Sequence, residues 1–211
     1  MKRVINLDNW NRKEHFKFFS ALDDPFWGIT MTVDFTSIYQ QSKNMEVSFF
    51  LYSVHFLLKC INATTAFKLR IENGEVVEYD KINISPTIGR EDGTFGFGFF
   101  EYDTDLSLFI ENAEKEIHRV KNSTGLSFSK DTARADVIRY SALPWFAFSE
   151  MKHAGSIQTG DSIPKISTGK LIQEKKKLLL PISISVHHGL VDGRNVAEFI
   201  QNLKDGQNNT L

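Results

Sequence analysis

The stretch Leu178-Leu179-Leu180-Pro181-Ile182-Ser183-Ile184-Ser185-Val186-His187-His188-Gly189-Leu190-Val191-Asp192-Gly193 decides the fold. Leu178 to Val186 is an apolar, branched run that predicts a buried strand. Beyond it, Val196, Phe199, Ile200 and Leu203 share one face of a predicted helix. Two histidines therefore stand where a strand ends, with Asp192 and Gly193 at the turn that opens a helix. Open α/β sheets place ligands and catalytic groups at strand ends. Histidine is also the side chain best suited to move protons near neutral pH. A plainer role fits the same residues: Asp192 as an ordinary N-cap, Gly193 as an easy turn, and a histidine hydrogen-bonded in place.

Working outward, residues Asn11 to Phe19 predict a short helix. Gly28 to Phe35 sets Ile29, Met31, Val33 and Phe35 against Thr30, Thr32 and Asp34, the alternation of a half-buried strand. Val47 to Ala63 predicts a buried helix. Phe67 to Asp80 holds Asn73-Gly74 between two strand-like runs, a type I′ hairpin signal. Thr94 to Tyr102 predicts a strand with Phe95, Phe97 and Phe99 on one face and Gly96 and Gly98 on the other. Asp105 to Val120 lines up Leu106, Phe109, Ile110, Ala113, Ile117 and Val120 on one helical stripe. Ile138 to Trp145 predicts a strand stopped at Pro144, and Lys152 to Ser162 predicts a polar loop. Strands and helices mix without strict alternation, so the expectation is one α/β domain over residues 1–211 with a mixed β-sheet.

Composition narrows the function. The 211 residues include 18 Phe and are 41% hydrophobic, enough for a substantial core and for aromatic-lined cavities. The net charge of -1, with both signs interspersed, points away from nucleic acid. The single Cys60 forms no intrachain disulfide, and no Cys-x-x-Cys pair suggests zinc. No apolar stretch is long enough for a signal peptide or a bilayer span, since Val47 to Ile61 is broken by Ser48, Ser53, His55 and Lys59. A cytoplasmic protein with no membrane partner is expected.

Tyr140-Ser141-Ala142-Leu143-Pro144-Trp145, followed by His187-His188-x-x-x-Asp192-Gly193, resembles the chloramphenicol acetyltransferase family. Trp10-x-Arg12-Lys13-Glu14-His15-Phe16 and Leu178-Leu179-Leu180-Pro181 add to the likeness, which runs from about Trp10 to Leu203. The resemblance implies a two-layer α/β sandwich of the CoA-dependent acyltransferase type, its mixed sheet covered by helices. It implies acetyl-CoA as co-substrate, with no metal or prosthetic group. It also implies a homotrimer with active sites at the subunit interfaces.

By the same resemblance, His188 is the general base that takes a proton from a substrate hydroxyl, a task suited to a neutral imidazole. Ser141 matches the serine that donates to the tetrahedral oxyanion; a strand serine bonded to backbone is the plainer alternative. Ser167 falls where the family holds a water, with Thr168 beside it as the other register. Lys170 would lie near the CoA path or stand as a solvated surface lysine. Asp192 and Arg12 resemble a buried salt bridge that fixes the loop carrying His188, and His187 would serve packing and hydrogen bonding.

The acceptor side departs from the family pattern. Phe19 stands where a tyrosine is usual, and Asp23-Asp24-Pro25-Phe26-Trp27-Gly28 brings Trp27 where a phenylalanine would stand. Met151 and His153 replace apolar contacts beyond Trp145. Phe19, Trp27, Phe95, Phe97 and Trp145 are expected to wall one apolar acceptor pocket. The leading expectation is acetyl transfer to chloramphenicol, conferring resistance. The alternatives are a same-fold acyltransferase with another acceptor, such as a dihydrolipoamide acyltransferase core, and a degenerate binding protein. Such cores usually come with lipoyl and binding domains, so the nine residues ahead of Trp10 set the expectation against the first, and the presence of His188, Ser141, Asp192 and Arg12 sets it against the last.

Overall fold

A computed structural model describes residues 1–155 and 160–208. In chain order the first elements are β1 (Lys2–Val4), α1 (Lys13–Ser20), β2 (Phe26–Asp34), α2 (Thr36–Asn44), α3 (Phe49–Ala63), β3 (Leu69–Glu72), β4 (Glu75–Tyr79) and β5 (Asn83–Gly89). There follow β6 (Phe95–Phe97), α4 (Leu106–Lys121), β7 (Val137–Ala142), β8 (Lys165–Thr168), β9 (Ile172–Glu174), β10 (Lys177–His187) and α5 (Gly193–Asn208). The main sheet runs β2-β10-β8-β7-β5-β6, with β9 also on β10; β1-β4-β3 form a small second sheet. Strands β5, β7 and β8 are parallel, and β2, β10 and β6 pair antiparallel with their neighbours, so the sheet is mixed as expected.

Alternation in β10 separates the two faces of the sheet. Ile182, Ile184 and Val186 are fully buried in the core, together with Ile84, Ile138, Tyr140 and Ile166 of the neighbouring strands. Helix α3 is apolar nearly all round and packs against α2, α4 and α5 over this face. Asp105 caps α4 by accepting from the N–H groups of Ser107 and Leu108 at 2.8 and 3.1 Å. Asn73 and Gly74 take the positive φ values, 52° and 81°, that the hairpin turn demands.

The other face is polar, and its residues stand in ranks across the strands. One rank is Ser85, Arg139, Lys165, Ser185 and Gly28; the next joins Ser141, Ser167, Ser183 and Thr30. The 149–155 segment lies across these ranks, with Ser183 Oγ donating to the Met151 carbonyl at 3.5 Å.

Two predicted strands are shorter than expected. The strand over Thr94 to Tyr102 shrinks to Phe95–Phe97, followed by a single bridge from Phe100 to Ile84. Its partner β5 carries Pro86, which has no N–H to offer, and the chain leaves the ladder where Gly98 donates to the Pro86 carbonyl at 2.9 Å. Phe95 is open on its outer face, while a Cβ on Gly96 would lie 2.5 Å from Arg90 Nη2 and 2.9 Å from Val120 Cγ1, so only glycine fits. Strand β7 ends at Ala142 rather than Trp145. Of the loop expected over Lys152 to Ser162, residues 156–159 lie outside the described residues, as do 209–211 of the expected domain. Among the described residues no helix is long and apolar enough to cross a membrane.

Candidate active site

The turn after β10 is tied down at every point. The N–H groups of Leu190 and Val191 both donate to the His187 carbonyl at 3.0 Å, and the His188 N–H donates to Pro25 at 2.8 Å. Asp192 accepts from the Arg194 and Asn195 N–H groups at 2.9 and 3.2 Å, so it does cap α5. It also pairs with Arg12 Nη1, whose Nη2 donates to the His188 carbonyl at 3.3 Å. Burial pushes the Asp192 carboxyl up, but the bonds from Arg12, Asn195 and Arg194 outweigh it and hold it below the usual aspartate range. Cap and ion pair are thus one arrangement, and both act on the backbone that carries His188.

The two histidines have different surroundings. His187 is buried and its Nδ1 accepts from the Gly189 N–H at 3.1 Å, so its proton sits on Nε2. Burial lowers its pKa to about 4. His188 lies beneath Phe19, ring centroids 3.8 Å apart and planes 16° from parallel, with Trp27 at 5.5 Å. Trp27 is itself held by its indole N–H to the Val191 carbonyl at 2.9 Å. The Nδ1 of His188 is buried and has no partner.

Ser141 stands elsewhere, on β7 in the polar face. It lines a cavity of about 460 Å³ with Thr87, Phe97, Met151, His153 and Ser167. Thr87 Oγ1 donates to Ser141 Oγ at 3.2 Å, which leaves the Ser141 proton free to be donated. Ser167 shares a rank with Ser141 and bonds His153 Nε2 at 3.0 Å. Thr168 points into the core and bonds Tyr140 Oη at 2.6 Å, so the cavity face of β8 belongs to Ser167. Burial, then the charge of Lys165, holds His153 below the usual histidine range.

Within one chain, His188 and Ser141 do not meet. Ser141 is in register with Ser183 two strands away, about 10 Å, and His188 is five residues further along β10, about 17 Å. Neither side chain moves far enough to close such a gap. The single acceptor pocket expected from sequence divides in the same way. Phe19 and Trp27 gather around His188 near the β2 edge, whereas Phe97 lines the Ser141 cavity from β6, the opposite edge of the sheet. Phe95 packs edge-on against Phe97 and is 47% exposed; Trp145 is 73% exposed in the loop after β7. Lys170 is exposed beyond β8.

Thr87, Arg139 and Lys165 were not legible as site residues, because they sit on short or Pro-containing strands without a motif, and Asp161 stands in the loop before β8. For Arg139 and Lys165 the one signal is a charge in the middle of β7 and at the start of β8, beside buried apolar neighbours. Among the described residues no cluster of three or more His, Cys, Asp or Glu could hold a metal.

The family model for chloramphenicol acetyltransferase matches residues 2–204. Chloramphenicol acetyltransferase 3 of Escherichia coli is 28% identical over 98% of this chain and 97% of its own. A chloramphenicol acetyltransferase of Clostridioides difficile is also 28% identical, over 95% and 93%. A solved chloramphenicol acetyltransferase superposes with a TM-score of 0.89 at 29% identity, covering 98% of this chain and 99% of that one. A probable dihydrolipoamide acetyltransferase of Listeria monocytogenes shares the fold, with a TM-score of 0.69 at 13% identity.

Proposed function

The chain belongs to the chloramphenicol acetyltransferase family, and from that premise we propose that it transfers the acetyl group of acetyl-CoA to a hydroxyl of chloramphenicol. His188 takes the proton of the acceptor hydroxyl as its oxygen attacks the thioester carbonyl. The Ser141 hydroxyl donates to the oxyanion that forms, with Thr87 supporting its Oγ. The tetrahedral intermediate then expels the CoA sulfur, which takes the proton back from His188. The products are the acetyl ester and free CoA. The acyl donor is a soluble co-substrate, and the reaction fits the cytoplasm.

The observation that carries the mechanism is the distance between base and oxyanion donor. One edge of the protomer presents His188, Phe19 and Trp27; a region toward the other presents Ser141 and Phe97. Bringing unlike surfaces together takes a head-to-tail contact, which closes into a ring when the rotation allows. A homotrimer in which His188 of one protomer faces Ser141 of the next satisfies this geometry.

Thiol release from acetyl-CoA with and without chloramphenicol tests the reaction. Co-assembly of His188→Ala and Ser141→Ala protomers tests the interface. Mixed rings should hold intact sites and exceed the summed activity of the two variants alone. If mixing adds nothing, base and oxyanion donor do not come from different protomers. A different small acceptor on the same chemistry is the second reading, favoured by the charged residues Lys165 and Asp161 in the Ser141 cavity.

A further inference from the structure

The cavity beside Ser141 is richer in donors than an apolar acceptor needs. Arg139 lies two residues before Ser141 on the same face of β7, about 7 Å away. Its neighbours across the sheet are Ser85 on one side and Lys165 on the other. Ser85 is 2% exposed and its Oγ has no partner. Lys165 is buried, with Nζ 2.9 Å from Asp161 and 3.9 Å from the centre of the Phe26 ring. Asp161, the acid of this cavity, is therefore taken by Lys165, and Arg139 has no carboxylate partner among the described residues. His153 adds a buried Nδ1 with no partner.

These features share one physical problem. Two cations stand on adjacent strands, and the cavity's one anion pairs with Lys165, so the like charge of Arg139 beside it is unfavourable. A buried hydroxyl and a buried ring nitrogen are left unbonded, each at the cost of its lost hydration. A carboxylate accepts from the planar guanidinium fork of Arg139 and from the Ser85 hydroxyl at once, and from His153 in the tautomer whose Nε2 accepts from Ser167 and whose Nδ1 carries the proton.

We propose that Arg139, Ser85 and His153 form an anion subsite beside Ser141, and that this chain acetylates small hydroxy acids in preference to their uncharged analogues. The carboxylate docks on Arg139, and a hydroxyl on the order of 7 Å away reaches Ser141 and the incoming His188. The proposal rests on the reading of the Ser141 cavity as the acceptor site.

The test compares 4-(hydroxymethyl)benzoate with its methyl ester in steady-state acetylation. The acid should have the higher kcat/KM by about 10-fold or more, the scale of a charge-assisted bidentate contact. Arg139→Gln should bring the ratio to about one without raising the KM for acetyl-CoA, and Arg139→Lys should keep part of the preference. In calorimetry 4-methylbenzoate, which has no hydroxyl to acetylate, should bind the wild type and not Arg139→Gln. Equal or better turnover of the ester overturns the proposal. So does an Arg139→Gln variant that raises the KM for acetyl-CoA but keeps the acid preference, since the anion recognised is then a phosphate of CoA. If 4-methylbenzoate binds through Arg139 while no alcohol is ever acetylated, the subsite stands and the transferase reading fails.

Discussion

Phe19 lies flat on His188, the two rings 3.8 Å apart and 16° from parallel. The contact fixes the plane of the imidazole on a turn whose backbone is already held by Pro25 and Arg12. Phe19→Ala should free the ring and lower kcat about 2–10-fold, the worth of one aromatic contact, with little change in the KM for acetyl-CoA. A kcat that does not move would mean that the turn alone orients His188.

His188→Ala should remove turnover by about 10²–10⁴-fold while acetyl-CoA still binds. His187→Ala should instead lower the unfolding midpoint, because His187 is buried and accepts from Gly189. Steady-state rates and thermal melts of the two variants check the division. A dead His187→Ala beside an active His188→Ala would reverse the assignment.

Ser141→Ala should lower kcat by roughly 10²-fold and leave both Michaelis constants nearly unchanged. Thr87→Val removes the donor to Ser141 Oγ and should give a smaller loss in the same parameter. A variant that loses affinity but keeps kcat would make Ser141 a binding residue.

Arg12 and Asp192 should behave as one unit. Each single alanine leaves a partly buried charge alone, at a cost of roughly 3–5 kcal/mol in the limit of full burial. The double variant should cost less than the two singles together, measured by denaturant unfolding; additive losses would show that the pair is not coupled.

Stability should fall as pH drops from about 6.5 toward 4. His187 is held at about 4, and burial lowers His55 and His153 as well, while the unfolded chain takes up protons near 6.5. The stability is fully present above pH 6.5 and is lost on the way down. His187→Asn keeps an acceptor for Gly189 but cannot titrate, so its unfolding midpoint should fall less over this window. An unchanged slope would assign the loss to other groups.

The resemblance carried by Ser141 and His188 led to the family; an apolar, branched run led to β10, helical periodicity to α4 and α5, and the Asn73-Gly74 turn to the hairpin. Those are local properties: a period of two or 3.6 and a turn residue are written in neighbouring positions. The sequence reading missed β5 and β8, because Pro86 and the four-residue Lys165–Thr168 blur the pattern. Which residues stand together came from tertiary structure alone. Strand β2 lies beside β10 across more than 140 residues of chain, and that pairing puts Phe19 and Trp27 at His188 while Phe97 goes to Ser141. Whether Ser167 or Thr168 faces the cavity turned on a register of one residue, which flips every side chain to the opposite face. No local pattern holds that information, because strand order and register arise from contacts between distant segments.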